Sequence, residues 1–290
     1  MKKILVGIGI VLGVVILAVV ALVLFGQIKL NSARNFVHDF PKTHVTSDSA
    51  DIILGERIVT VRNGCIHCHD ADMGGMLFIN DPMMGQIGGG NLTPTLLSDW
   101  TDDEIATAIR SGINREGKPL VFMPSHEFQY LSTGDIAAVV AYLRTLPPLD
   151  RPNPEISIGM MGKILYGLGQ FPTLVPAASL VKTDLPEIEK PEEAATMEFG
   201  KYLVNTSCTG CHREKLEGGP ITGAPPTWPP ASGLSNMQAR AYTEAGFINA
   251  LRLGVRPDGT NLKEPMIGST ARLMTDVELV AMWRYIETVK

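Results

Sequence analysis

All four cysteines of the 290-residue chain fall into two short words, Cys65-Ile66-His67-Cys68-His69 and Cys208-Thr209-Gly210-Cys211-His212. Each is a CxxCH sequence, and no thiol is left over. Four cysteines cannot staple a chain of this length, so the two pairs must serve two local sites. CxxCH reads as covalent haem c attachment. Two thiols one helical turn apart reach the porphyrin vinyl groups as thioethers, and the following His is held against one face of the iron. A disulfide, a redox dithiol or half of a zinc site are the competing uses of a CxxC pair. Two copies favour haem, since a shared four-thiol zinc site needs no His after either pair.

The words also reveal a duplication. A shift of 143 places superimposes Cys65 on Cys208, Cys68 on Cys211, His69 on His212, Met123 on Met266 and Tyr142 on Tyr285. Between these anchors a shift of 142 matches Ala108-Ile109-Arg110 with Ala250-Leu251-Arg252, Gly112 with Gly254 and Gly117 with Gly259. The chain is a tandem repeat. Met123 and Met266 each lie 54 residues after the CxxCH histidine, beside Pro124 and Pro265. A Met thioether is a common sixth ligand opposite His, so the expected iron ligands are His69 with Met123 and His212 with Met266. His126 is the alternative in the first repeat. Met73, Met76, Met83, Met84, Met237 and Met274 are competing methionines, and His67, His38 and His44 read as solvated.

Ile4 to Phe25 is a run of 22 residues without charge, about 33 Å as a helix, enough for a hydrocarbon core of roughly 30 Å. Lys2 and Lys3 precede it, which favours export of everything after it. A cleaved signal peptide is the alternative, although its apolar region is usually shorter. Without Lys2 and Lys3 the exported part holds 23 basic and 30 acidic residues. That acidic balance argues against nucleic acid as a partner.

Thr101-Asp102-Asp103-Glu104 predicts a capped helix running to Gly112. Ser132 or Thr133 opens another through Leu143, and Thr275 opens its counterpart through Ile286. Short helices are also expected before each CxxCH. The fold class is therefore all-α: one N-terminal transmembrane helix and two small helical domains. The boundaries are 1–27 for the cytoplasmic stub and anchor, 28–50 for a tether, 51–147 for the first domain, 148–195 for a linker and 196–290 for the second.

Both halves resemble class I cytochrome c domains, and the whole is similar to membrane-anchored di-haem cytochromes c such as the cytochrome subunits of bacterial dehydrogenases. The likeness is carried by the CxxCH words, Gly89-Gly90-Asn91-Leu92-Thr93-Pro94, Trp100-Thr101-Asp102-Asp103-Glu104-Ile105 and the terminal helices. It implies two covalently bound haem c groups and haem propionate contacts near Asn91, Thr93, Trp100, Arg110, Tyr242 and Arg252. The second repeat departs from the pattern, with Pro225-Pro226-Thr227-Trp228-Pro229-Pro230 in place of the Asn-Leu-Thr-Pro word and Tyr242 in place of Trp100.

Residues 148–195 match neither repeat. Their apolar stretch, Ile156 to Val181, is broken by Lys163, Pro172 and Pro176, and reads either as a segment lying across the domain junction or as an interfacial helix touching lipid. Residues 54–147 hold six basic and eleven acidic residues, whereas 194–290 hold ten and nine. That split suggests two different redox partners. No catalytic constellation is present. The expected function is single-electron transfer on the periplasmic side of a bacterial inner membrane, between a dehydrogenase or quinol-oxidising complex and a terminal oxidase or soluble cytochrome. The alternatives are a non-catalytic subunit of a dehydrogenase complex and a di-haem peroxidase.

Overall fold

The structure is a computed structural model that describes residues 2–32, 42–182, 184–222, 224 and 227–290. His38, Pro225 and Pro226 lie outside the described residues. The apolar run forms the core of α1 (Lys2–Ser32), the one described helix long and apolar enough to cross a membrane. The helix passes residue 27 and occupies the first part of the expected tether.

The first repeat begins with α2 (Ser49–Arg57), capped by the Asp48 carboxylate, and continues as a π-helical turn over Ile58–Arg62. The first CxxCH closes on α3 (Ile66–His69). A hairpin of β1 (Met76–Asp81) and β2 (Gly85–Gly89) follows, then α4 (Pro94–Leu97). α5 (Asp102–Ser111) starts in the expected capping box and stops at Gly112, whose φ of 68° a residue without Cβ adopts at no cost. α6 (Ser125–Phe128) and α7 (Thr133–Thr145) complete the repeat, with Ser132 as the cap of α7. The linker contributes β3 (Ser157–Ile158) and α8 (Met160–Gly167). The second repeat then gives α9 (Met197–Ser207), α10 (Thr209–His212), α11 (Glu244–Leu253) and α12 (Asp276–Ile286), the last opened by Thr275 in a second capping box.

In each repeat the first and last long helices cross at a glycine. Gly55 of α2 lies against the Ala138 carbonyl of α7, and Gly200 of α9 against the Ala281 carbonyl of α12. A Cβ at either glycine would strike that oxygen, so the close crossing depends on its absence.

One departure from an all-α fold is the antiparallel sheet β1-β2-β3. Asp81 turns the hairpin by accepting from the Met83 and Met84 amides, 2.8 Å each. The linker then pairs Ile158 and Ser157 with Gly85 and Gln86. Among the described residues the same place in the second repeat carries a single bridge, Gly219 to Ala231.

The repeats share one hydrophobic core. Asn63 and Thr206 occupy equivalent positions, and the Asn63 amide donates to the Thr206 carbonyl at 2.7 Å. Asp135 and Glu278, third residues of α7 and α12, are equivalent as well. Asp135 accepts from Tyr202 Oη (2.7 Å) and pairs with Lys190 of the linker (2.9 Å). Glu278 accepts from Arg62 Nε (2.6 Å) and from Arg57. The two equivalent carboxylates thus each reach across the junction, but to partners at non-equivalent positions. Arg62 and Glu278 side chains are 4% and 3% exposed, so their pairing sits in a low-dielectric junction.

Candidate haem sites

Each attachment word lies on a single helical turn, α3 or α10, with the histidine amide donating to the first cysteine's carbonyl at 2.9 Å. The next residue, Asp70 or Arg213, reverses the chain at φ 67°. That reversal lets Gly75 and Gly218 donate back to the His69 and His212 carbonyls at 2.9 and 3.1 Å. Both imidazoles are buried and tied at one nitrogen only. His69 Nδ1 lies 2.7 Å from the Gly90 oxygen, and His212 Nδ1 lies 2.7 Å from the Ser232 oxygen. A carbonyl only accepts, so Nδ1 carries the proton and Nε2 keeps its lone pair for a metal. Burial pushes both imidazole pKa values down, which favours the neutral form that ligates.

The four thiols are unpaired and partly buried. Burial pushes Cys65 and Cys208 up to about 12, and Cys68 and Cys211 up to about 11. A redox dithiol needs a lowered thiol pKa, so these pairs have the wrong electrostatics for thioredoxin-type chemistry. Among the described residues no three His, Cys, Asp or Glu side chains are gathered to hold a metal ion, so a zinc site has no assembled donor set.

In the second repeat the attachment turn faces a cavity of about 700 Å³, within the roughly 300–1,000 Å³ typical of cofactor pockets. Cys208, Cys211 and His212 form part of its wall, together with Met266, Tyr242 and Trp228. A macrocycle carrying two thioethers and two axial ligands fits this donor set. Met237, Met274 and Met282 also line the cavity, but Met237 Sδ already receives Arg240 Nη2 at 2.9 Å. In the first repeat Met123 is half-buried against the shared core, and the loop carrying it is fixed by the Phe122 amide donating to the Leu174 carbonyl at 2.8 Å. Met73 is fully buried in that core, while Met76, Met83 and Met84 belong to the hairpin.

The expected propionate contacts separate into groups. Tyr242 stands in the cavity wall. Arg252 does not: its guanidinium binds the Arg272 carbonyl and Asp276. Arg256 takes that place in the wall, a residue the repeat alignment did not single out because it paired Arg252 with Arg110. Asn91 spends both amide hydrogens on the Leu149 and Arg151 carbonyls and accepts from the Thr93 amide and hydroxyl. Thr93 Oγ1 also accepts from the Leu149 amide, so both side chains fasten the linker to the domain. The hydrogen-bonding groups of both side chains are thus engaged within the protein. Arg110 binds the Leu131 carbonyl at the entrance to α7. The Trp100 ring carries the Arg115 guanidinium at 5.6 Å.

His67 and His44 are both exposed, as expected, and His67 also borders the second repeat's cavity from across the junction. His126 is half-buried; its Nδ1 has no hydrogen-bond partner, and burial pushes its pKa down to about 4. Beside it, Glu127 reaches the Gly210 amide between the second pair of cysteines, and burial raises its carboxyl to about 8. Thr270, the position equivalent to Glu127, donates to the Val61 carbonyl at 2.7 Å, just before the first pair. In each repeat the loop after the candidate methionine therefore touches the other repeat's attachment segment.

Residues 53–147 and 197–290 each match the family model described as cytochrome c, and the chain belongs to the cytochrome c family. Membership gives it covalently bound haem c and a role in electron transfer. It is 30% identical over 222 residues to the cytochrome c subunit of a quinone alcohol dehydrogenase of Gluconobacter oxydans, covering 73% of this chain and 41% of that protein. It is 25% identical over 234 residues to a subunit of the nicotinate dehydrogenase of Pseudomonas putida, covering 72% and 19%. The chain thus spans less than half the length of either relative.

Proposed function

We propose that the protein carries two haem c groups, one on each CxxCH, and relays single electrons between a dehydrogenase and a terminal acceptor at the periplasmic face of a bacterial inner membrane. His69 and Met123 hold one iron, His212 and Met266 the other, and α1 is a single-pass anchor. The observation that carries this reading is the duplicated imidazole arrangement, in which each CxxCH histidine is buried, donates Nδ1–H to a backbone carbonyl and keeps Nε2 free. When bound, haem iron supplies a one-electron couple whose potential a thioether ligand raises. The chain's part is to fix the imidazole rings, to supply soft sulfur from Met123 and Met266, and to exclude water. The bond from Asn63 to the Thr206 carbonyl joins the segments just before the two attachment words, which favours passage of an electron from one haem to the other inside one chain. Two haems per chain by pyridine haemochromogen and mass, with a far-red Met-to-iron band for each, are the expected result. One haem, or a halved band, would reject the two-site assignment.

A second reading is a permanent subunit of a dehydrogenase complex, favoured by the relative that is itself such a subunit. Co-purification of a dehydrogenase from detergent-solubilised membranes at fixed stoichiometry supports it, and a chain that purifies alone favours the mobile relay.

A further inference from the structure

The structure assigns a second membrane contact, made by α8, whose open apolar face lies in the lipid beside α1; this rests on reading α1 as membrane-spanning. The three sides of α8 have different neighbours. Gly162 and Tyr166 are buried on the first domain, where Gly162 meets Ile158 and Met84. Lys163 and Gly167 face α1: Gly26 lies against the Lys163 carbonyl, and a Cβ on Gly167 would stand 3.0 Å from the Gly26 Cα. Lys29 of α1 closes the contact, donating to the Tyr166 carbonyl at 3.2 Å with its ammonium 5.1 Å from that ring's centre. The remaining side holds Met160, Ile164 and Leu168, spaced four apart and so on one face. Met160 is 42% and Leu168 52% exposed, an unfavourable position for such side chains in water.

The position along α1 identifies what covers this face. The run free of charged and strongly polar side chains ends before Gln27 and Lys29, and the helices cross at Gly26, so α8 sits where α1 leaves the hydrocarbon. The charge pattern agrees. From Ile156 to Val181 there is no acidic residue and a single Lys163, in an otherwise acidic chain, so anionic headgroups meet no repulsion there. The occupant is therefore acyl chain and headgroup, and the first domain is mounted rigidly on the bilayer instead of swinging on a tether.

Spin labels at single introduced cysteines in the full-length holoprotein, reconstituted in phosphatidylcholine–phosphatidylglycerol nanodiscs, test this. The four native thiols are held by haem, and unlabelled wild type is the control for that. Met160→Cys and Leu168→Cys are expected to show higher accessibility to oxygen than to a water-soluble nickel chelate, as Val15→Cys does, whereas the exposed Val277→Cys of α12 shows the reverse. If positions 160 and 168 behave like 277 while 15 stays lipid-exposed, the proposal is overturned and the anchor stands. If 15 is also water-exposed, the membrane-spanning reading itself fails. Adding Gly26→Val to Leu168→Cys, with haem absorbance unchanged, is expected to move position 168 toward the aqueous profile; no movement would overturn the mount.

Discussion

The two repeats hold nearly the same attachment turn and differ in the loop that closes over it. In both, the histidine turn, the left-handed residue after it and the glycine returning to its carbonyl are superimposable in sequence and hydrogen bonding. In the first repeat the following loop is a hairpin extended by β3, joined to α8 and through it to α1. In the second it is a proline-rich segment with one bridge among the described residues, and Trp228 in the cavity wall is 36% exposed. The backbone bonds around the haem site are thus the invariant part, and the outer loop is free to serve position. The first domain is built to be mounted, and the second to face outward.

The largest effect should come from removing one proximal histidine at a time. His69→Ala and His212→Ala are each expected to abolish one low-spin haem signal and leave the other, as read by visible spectra of the reduced protein. Equal loss of both signals from either variant would mean that the repeats do not bind haem independently. Met266→Ala is a finer cut, expected to lower one potential by on the order of 100 mV and leave the other nearly unchanged. A potentiometric titration showing no shift would reject Met266 as ligand and direct attention to Met274.

The junction comes next. Glu278→Ala leaves Arg62 buried without its inner partner, and breaking a buried pair in this way costs about 3–5 kcal/mol. Calorimetry is expected to show the single transition of the wild type split in two, because the domains lose their common network. The pH dependence has two signs. Burial pushes Glu193 up, but Arg62 and Lys190 hold it down at about 2; Glu278 is likewise held low against burial by the Thr275 amide and Arg62. Carboxyls depressed on folding stabilise above their ordinary range, and that contribution is lost as pH falls through their folded values. Glu127 has the opposite sign. With its folded value near 8 against an ordinary 4.5, the native state holds the proton more tightly, so stability declines as pH rises from 4.5 to 8. Glu127→Gln should remove that decline, giving a gain in thermal stability above pH 8 that is absent below pH 4.5. An unchanged slope would mean the carboxyl is not held neutral.

Much of this was legible from local chemistry. The Thr101 and Thr275 starts, the Gly112 stop and the CxxCH turns depend on residues within one helical turn of each other, and the sequence spacing predicts them. The sheet was not legible, because β3 pairs with β2 from more than 70 positions away and the segment from Met73 to Met84 stands out in sequence for its four methionines. Arg256 escaped notice for a related reason. Alignment compares helix positions, whereas reach into the cavity is decided by the turn after α11. That Asp135 and Glu278 each reach across the junction emerges only when the two repeats are placed face to face, although the shift of 143 already paired the two residues.

The smallest expected difference again compares the repeats, at their two capping boxes. Thr101 and Glu104 form an exposed box at the start of α5, so Thr101→Ala should cost about 1 kcal/mol, the usual value for an N-cap. Thr275 caps α12 with the same bonds, but its partner Glu278 is also the acceptor for Arg57 and Arg62 across the junction. Removing the Thr275 hydroxyl takes away one bond that orients this carboxylate, so Thr275→Ala should cost more, by about 1 kcal/mol, the worth of one further hydrogen bond. Denaturant unfolding of the two holoprotein variants measures the difference directly. Equal costs would show that the arginines alone hold Glu278 in place, and that the cap of α12 is as local an affair as the cap of α5.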